Sequence, residues 1–350
     1  MSNVASRIPD FESERRLSEL RRKASAGETL SEKGAVPVSA LFPQAVPGGY
    51  HRIPLLKQPQ WKKEVPLYLF TGGAAGAAAV VAAVASNMSG DRDLIRNARW
   101  VAAAGGLISP ALLTKDLGMP SRFLNMLRVF KAQSPMNMGA WTLVAFSSFS
   151  AASAFAALLR SKVTDAPPIV VIEKASEMLA AMTGLVMSSY TGVLVGATVI
   201  PVWNKYVGTL PIHFAASGMN AAVSILELMG HTQSNALNLL GVAASAYETV
   251  QSALIEKDRD RVNRPLQGGL SGTIVRIGGL LSGPLPFALR LAYAVTGRTR
   301  LRRAAAICGL AGSLLTRIGW VEAGKASAKD YVLPLEPRGD RSGERTVNPA

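Results

Sequence analysis

The sequence is poor in the side chains from which metal and redox centres are built. It holds one cysteine, Cys308, inside an apolar run, and three histidines, His51, His213 and His231. A lone thiol excludes an intrachain disulfide and any iron–sulfur cluster held by this chain alone. His213 and His231 stand near opposite ends of one expected span, roughly 27 Å apart along a helix, so they cannot clamp one haem from that helix. A haem-free chain is expected. Charge is also scarce, at 17% of residues. The segment Met1 to Lys63 is polar and lacks the apolar core of a signal peptide.

What charge there is crowds into the first 65 positions, the last 30 and a few connectors. A net charge of +15 raises the question of nucleic acid, but no basic stripe interleaves with aromatics. The positive residues sit at the tails and at the ends of apolar runs, where they suit anionic lipid headgroups. Between them run long uncharged stretches, and a helix of about 18 or more apolar residues can cross a hydrocarbon core about 30 Å thick. The 32 glycines, with abundant Ala and Ser, let such helices approach closely in lipid. The fold class is therefore all-α, a polytopic membrane bundle of eight transmembrane helices.

Residues 1–65 read as a polar extramembrane tail, 66–323 as the transmembrane bundle and 324–350 as a second polar tail. Within the first tail, Phe11 to Lys23 suits a short charged helix and Val36 to Pro59 is broken by five prolines. The expected spans are 66–87, 98–114, 139–159, 178–203, 206–230, 234–255, 269–294 and 304–323. The seventh carries Arg276 and Arg290, about 21 Å apart along a helix, so each could reach its own interface. A re-entrant segment broken at Gly283, Pro284 and Pro286 is the competing reading. Eight spans put both termini on one side. The basic tails make that side cytoplasmic, in the inner membrane of a prokaryote.

Helical parity brings a set of polar and aromatic residues to one face: Trp61, Glu64, Tyr68, Asp116, Arg122, Asn125, Arg128, Trp203 and His213. Tyr190 lies deeper on span four. A quinone ring needs a hydrogen-bond donor for each carbonyl, a proton source and an apolar wall. Tyr68, Asp116, Tyr190 and His213 are of the right types, on different helices. The plainer alternatives are interfacial belt tyrosines and a histidine tied up in an interhelical bond. Glu227 and Glu248 fall inside spans five and six, where an ionisable group is costly and suggests a proton relay. Pairing with Arg276, Arg290 or Arg317 is the competing account, and protonation by desolvation a third.

Read in order, these landmarks resemble the NrfD/PsrC family of polysulfide-reductase-type membrane subunits. The likeness rests on Leu117-Gly-Met-Pro-Ser-Arg-Phe-Leu-Asn-Met-Leu-Arg-Val-Phe130 and Ser134-Pro-Met-Asn-Met-Gly-Ala-Trp141. It continues through Tyr190-Thr-Gly-Val-Leu, Pro201-Val-Trp203, Leu210-Pro-Ile-His-Phe-Ala-Ala-Ser217, Thr316-Arg-Ile-Gly-Trp320 and Ala323-Gly-Lys-Ala-Ser327. It covers roughly residues 58–330. The resemblance implies a haem-free eight-helix subunit that binds menaquinone or ubiquinone. It also implies a four-cluster ferredoxin-like partner, and through it a molybdopterin catalytic subunit of formate dehydrogenase or polysulfide or thiosulfate reductase type. It puts Tyr68 where some members carry His, matches Tyr190 to a quinone-contacting tyrosine, and sets Arg122, Asn125 and Arg128 against the iron–sulfur partner. Two other functions compete. An ion-coupled transporter would show inverted repeats with broken helices, and no such symmetry is visible. A purely structural anchor would keep the bundle without quinone chemistry.

Overall fold

The computed structural model describes residues 56–88, 91–117 and 125–330. His51, Arg122 and the expected helix at Phe11 to Lys23 lie outside them. All described helices belong to one compact unit, and among the described residues there is no strand. The long helices are α1 (Glu64–Asn87), α2 (Arg92–Leu117), α3 (Pro135–Lys162), α4 (Pro167–Gly196), α6 (Leu210–Leu228), α7 (Asn235–Lys257) and α11 (Thr299–Lys329). A broken rod, α9 (Gly269–Ser282) followed by α10 (Pro284–Thr296), completes the bundle. Two short helices, α5 (Pro201–Lys205) and α8 (Arg264–Gln267), lie in connections. Successive rods alternate in direction. The side where α1 begins is called the first face, and the side where it ends the second.

Local chemistry sets the helix ends. Proline stands in the first turn of α3, α4, α5, α6 and α10, where its missing N–H costs nothing. Ser134 caps α3 by accepting the Asn137 N–H, and Ser234 caps α7 by accepting that of Leu237. Gly297 closes α10 in the left-handed region at φ 67°.

The polytopic helical bundle read from the sequence is what the chain forms, with a helical rod at each of the eight expected positions. Among the described residues, five helical segments are by length and composition apolar enough to cross a membrane: Glu64–Asn87, Pro135–Lys162, Pro167–Gly196, Gly269–Thr296 and Thr299–Lys329. The rod α2 falls short because Arg92, Asp93, Arg96 and Arg99 occupy its first two turns, and α6 and α7 because they carry internal polar residues. Those residues point inward: Asn220, Glu227, Glu248 and Gln251 are buried, while Ile212, Leu239, Val250 and Leu254 of the same rods are exposed. Several boundaries also move. The fourth rod begins at Pro167 and so takes in Glu173, Lys174 and Glu177. It stops at Gly196, and Pro201 starts a separate short helix holding Trp203. The last rod starts at Thr299 and runs to Lys329, past the expected start of the tail.

The core is built by close approach. A Cβ on Gly184 would lie 2.7 Å from the Gly76 carbonyl oxygen, and one on Gly218 2.8 Å from that of Gly73. Glycine at these crossings therefore lets α1 seat directly on α4 and α6. Helix α6 lies at the centre, packed against α1, α4, α7 and α11.

Candidate functional site

The four expected quinone contacts divide between two sides of α6. Tyr68 and Tyr190, 1% and 8% exposed, come together on the α1–α4 side, close enough to interact electrostatically. Tyr190 packs on the first turns of α3, where a Cβ on Gly139 would fall 3.0 Å from its hydroxyl. That hydroxyl sits beside the Gly139 backbone without meeting hydrogen-bond geometry, and has no partner. Asp116 is half-buried at the end of α2, accepting the Lys62 N–H at 3.4 Å, next to the Lys115–Glu64 pair at 3.1 Å.

His213 does not join them. It faces α7 and α11, with Nδ1 3.9 Å from the Glu248 carboxylate and its ring edge-on to Trp320 at 6.0 Å. His213, Glu248, Thr316 and Trp320 line a cavity of about 360 Å³, walled otherwise by residues such as Leu266, Val275, Leu280 and Pro284. Three of these side chains carry a buried atom with no hydrogen-bond partner: His213 Nδ1, Glu248 Oε1 and Thr316 Oγ1. The other Glu248 oxygen accepts the Ser282 hydroxyl at 3.0 Å. Arg276 and Glu256, ion-paired at 2.5 Å and about half exposed, stand at the rim. An apolar chamber with a few convergent polar groups at one end is the usual form of a small-molecule site.

The first face above this chamber is closed by aromatics. Trp61 stacks on Trp203 at 4.8 Å, and the buried Trp203 indole N–H donates to the Trp320 carbonyl at 2.8 Å. Gly324 lies against the Trp203 ring, where any Cβ would overlap it. Tyr206 packs edge-on to Trp320 and donates to Asn263 at 3.0 Å; burial pushes its hydroxyl up to about 12. Lys205 holds Asp258 and Asp260 at 2.6 and 2.8 Å.

Glu227, the second expected relay acid, is fully buried near the second face. One of its oxygens accepts Arg290 at 2.6 Å and also Arg302. Arg302 further donates to the carbonyls of Thr232 and Ser234, and its guanidinium lies 5.0 Å from the Tyr293 ring. Arg290 is wholly buried rather than reaching an interface, which corrects the expectation for the seventh span; Arg276 does reach the rim. Arg317 donates to the Phe214 carbonyl at 2.8 Å between α11, α6 and α1, with its guanidinium against Gly73. Inserting such arginines is costly unless each finds an acid, a carbonyl or water.

Of the expected partner-facing residues, Asn125 and Arg128 are exposed on the connector between α2 and α3, beside exposed Val129 and Phe130. Sequence reasoning missed Asn137, which anchors this connector by donating to the carbonyls of Met126 and Val129 and accepting the Lys131 N–H. It also missed Arg99, whose side chain is 10% exposed between Glu173 at 2.6 Å and Glu177 at the start of α4. A helix-parity count of α2 and α4 would have placed both groups at the second face, where opposite charges so deep in a bundle are expected to pair.

Helical architecture, inward polar residues and apolar outer faces define a multi-pass membrane protein. Its sequence matches the family model described as polysulphide reductase NrfD over residues 56–236, just over half of the chain, and the chain belongs to that family. The family supplies membrane subunits of molybdoenzyme complexes. No match to a curated protein was found.

Proposed function

We propose that this chain is the quinone-binding membrane subunit of a multi-subunit oxidoreductase. It passes electrons between the membrane pool of menaquinone or ubiquinone and a ferredoxin-like iron–sulfur subunit, itself joined to a molybdopterin catalytic subunit. The observation that carries this reading is the apolar chamber capped by His213, Glu248 and Thr316, each with an unsatisfied buried atom. A quinone, when bound, exchanges two electrons and two protons. The residues present suit it: His213 and Thr316 can each donate to a ring carbonyl, Glu248 can hold or release a proton, and Trp320 and Leu266 offer apolar walls. The exposed connector with Asn125, Arg128 and Phe130 is the surface offered to the partner, and Arg122, in the same sequence motif, belongs with it.

A second position for the ring is favoured by one observation, the partnerless Tyr190 hydroxyl beside Tyr68, with Asp116 above it at the first face. The two positions separate by mutation in the assembled complex. Quinone-linked turnover is expected to fall about 10-fold to 100-fold in His213→Leu and Glu248→Gln, with the Tyr68→Phe/Tyr190→Phe pair near wild type. The reverse pattern moves the ring to the tyrosine side. Unchanged turnover in all three would leave a purely structural anchor.

A further inference from the structure

At the second face a cleft of about 480 Å³ opens between the start of α2 and the end of α3, with Ser86 of α1 and Glu173 of α4 in its wall. Its lining changes character with depth. Toward the face stand Arg92, Arg96, Arg160 and Ser161. One to two turns further into the bundle come Trp100, Ala154 and Ala157. The apolar part joins the outer surface of the bundle through exposed Trp100 and Leu158. Tryptophan at this depth is the ordinary neighbour of lipid headgroups.

The four arginines of the cleft are answered unequally. Arg99 is held by Glu173 and Glu177, both 5% exposed. Arg160 is shared between Asp165 at 2.6 Å and Glu173 at 3.4 Å. Arg96 pairs with Asp93 at 2.8 Å, but both side chains are more than half exposed, and such a pair contributes little in water. Arg92 has no ion pair among the described residues. The acids of α4 are thus occupied on the inner side of the cleft. Its rim keeps two arginines with charge to offer an anion.

We propose that this cleft binds an anionic phospholipid, its phosphodiester taken by Arg92 and Arg96 and an acyl chain lying along Trp100, Ala157 and Ala154. Basic pockets between helices at a membrane face suit such headgroups. A soluble phosphate would use the same arginines, but only a lipid gains from the apolar wall beneath them. The Arg99 ion pairs tie α2 to α4 below the rim, so the cleft is held open by the protein's own contacts. The proposal is independent of what fills the chamber beside His213.

Native mass spectrometry of the full-length chain in detergent tests it, with dioleoylphosphatidylglycerol and dioleoylphosphatidylcholine as probes. The phosphatidylglycerol is expected to bind about 10-fold more tightly. Arg92→Ala/Arg96→Ala should abolish that preference. Arg300→Ala/Arg303→Ala removes the same charge from exposed positions of the same face outside the cleft, and should keep it. Ala157→Phe fills the apolar part and spares both arginines; it should weaken phosphatidylglycerol about 10-fold. Inorganic phosphate should displace the lipid only at a concentration about 100-fold or more above it. Equal loss of preference in the two arginine pairs would mean a diffuse charge effect of the whole face. Displacement by inorganic phosphate at equal concentration would mean a site for a soluble anion. Either result overturns the proposal, as does undiminished lipid binding in Ala157→Phe.

Discussion

The two sides of α6 are packed by opposite rules. Toward α1 and α4 the contact is made of glycine and alanine, with Gly73 on Gly218 and backbones almost touching. Toward α7, α10 and α11 it is made of acids, arginines and hydroxyls around a chamber. In lipid the first kind of contact gains from dispersion and close fit. The second survives only if every charge is answered. The same helix thus serves as a close-packed seat on one side and a polar, charged surface on the other.

Substitutions on each side should expose the difference. The largest effect belongs to the charged side: Glu227→Ala leaves Arg290 and Arg302 buried without their shared carboxylate. It is expected to cost about 3–5 kcal/mol, read as a lower midpoint in detergent unfolding. On the packed side, Gly218→Leu forces α6 off α1, since even a Cβ would lie 2.8 Å from the Gly73 carbonyl oxygen. It should cost about 1–3 kcal/mol in the same assay. If the charged-side variant proves the milder one, the contrast drawn above is wrong.

The smallest effect lies outside both, at the first face, and is a control on them. The Lys205 hydrogen bond and charge hold the Asp260 carboxyl below its usual 3.8. Burial pushes Asp258 up, but Lys205, the Asp260 backbone and Asn263 outweigh it, so it too is lowered from 3.8. Groups lowered by folding give their full stabilisation above pH 3.8 and lose it as the pH falls through their folded values. Lys205→Met should therefore lower the midpoint slightly at neutral pH and have no effect in the acid range below those values. A penalty that persists there would mean Lys205 acts through packing instead.

The bundle, its small-residue packing and the ionisable groups inside spans five and six were legible because they depend on composition and period. The ion partners were less so. Glu227 was open to pairing with Arg290, which it does, but Arg302 was read as a connector residue because the last span was placed to start at Ala304. The helix starts at Thr299, and that shift carries Arg302 into the bundle. The division of Tyr68, Tyr190 and His213 between two sides of α6 was equally hidden. Parity says which face of the membrane a residue approaches, and nothing about its direction around the helix bundle.

The break at Gly283 has a bearing on how the chain is assembled. Gly283 sits so close to Thr249 of α7 that a Cβ would lie 3.0 Å from its backbone nitrogen. The freed Ser282 carbonyl is taken by Asn220 of α6, and the Ser282 hydroxyl by Glu248 of α7. A ribosome completes α6 and α7 before it reaches this joint. Each exposed polar group of the interrupted rod can thus be received by a side chain already inside the bilayer. An order of synthesis that placed the rod first would leave the same groups stranded in lipid.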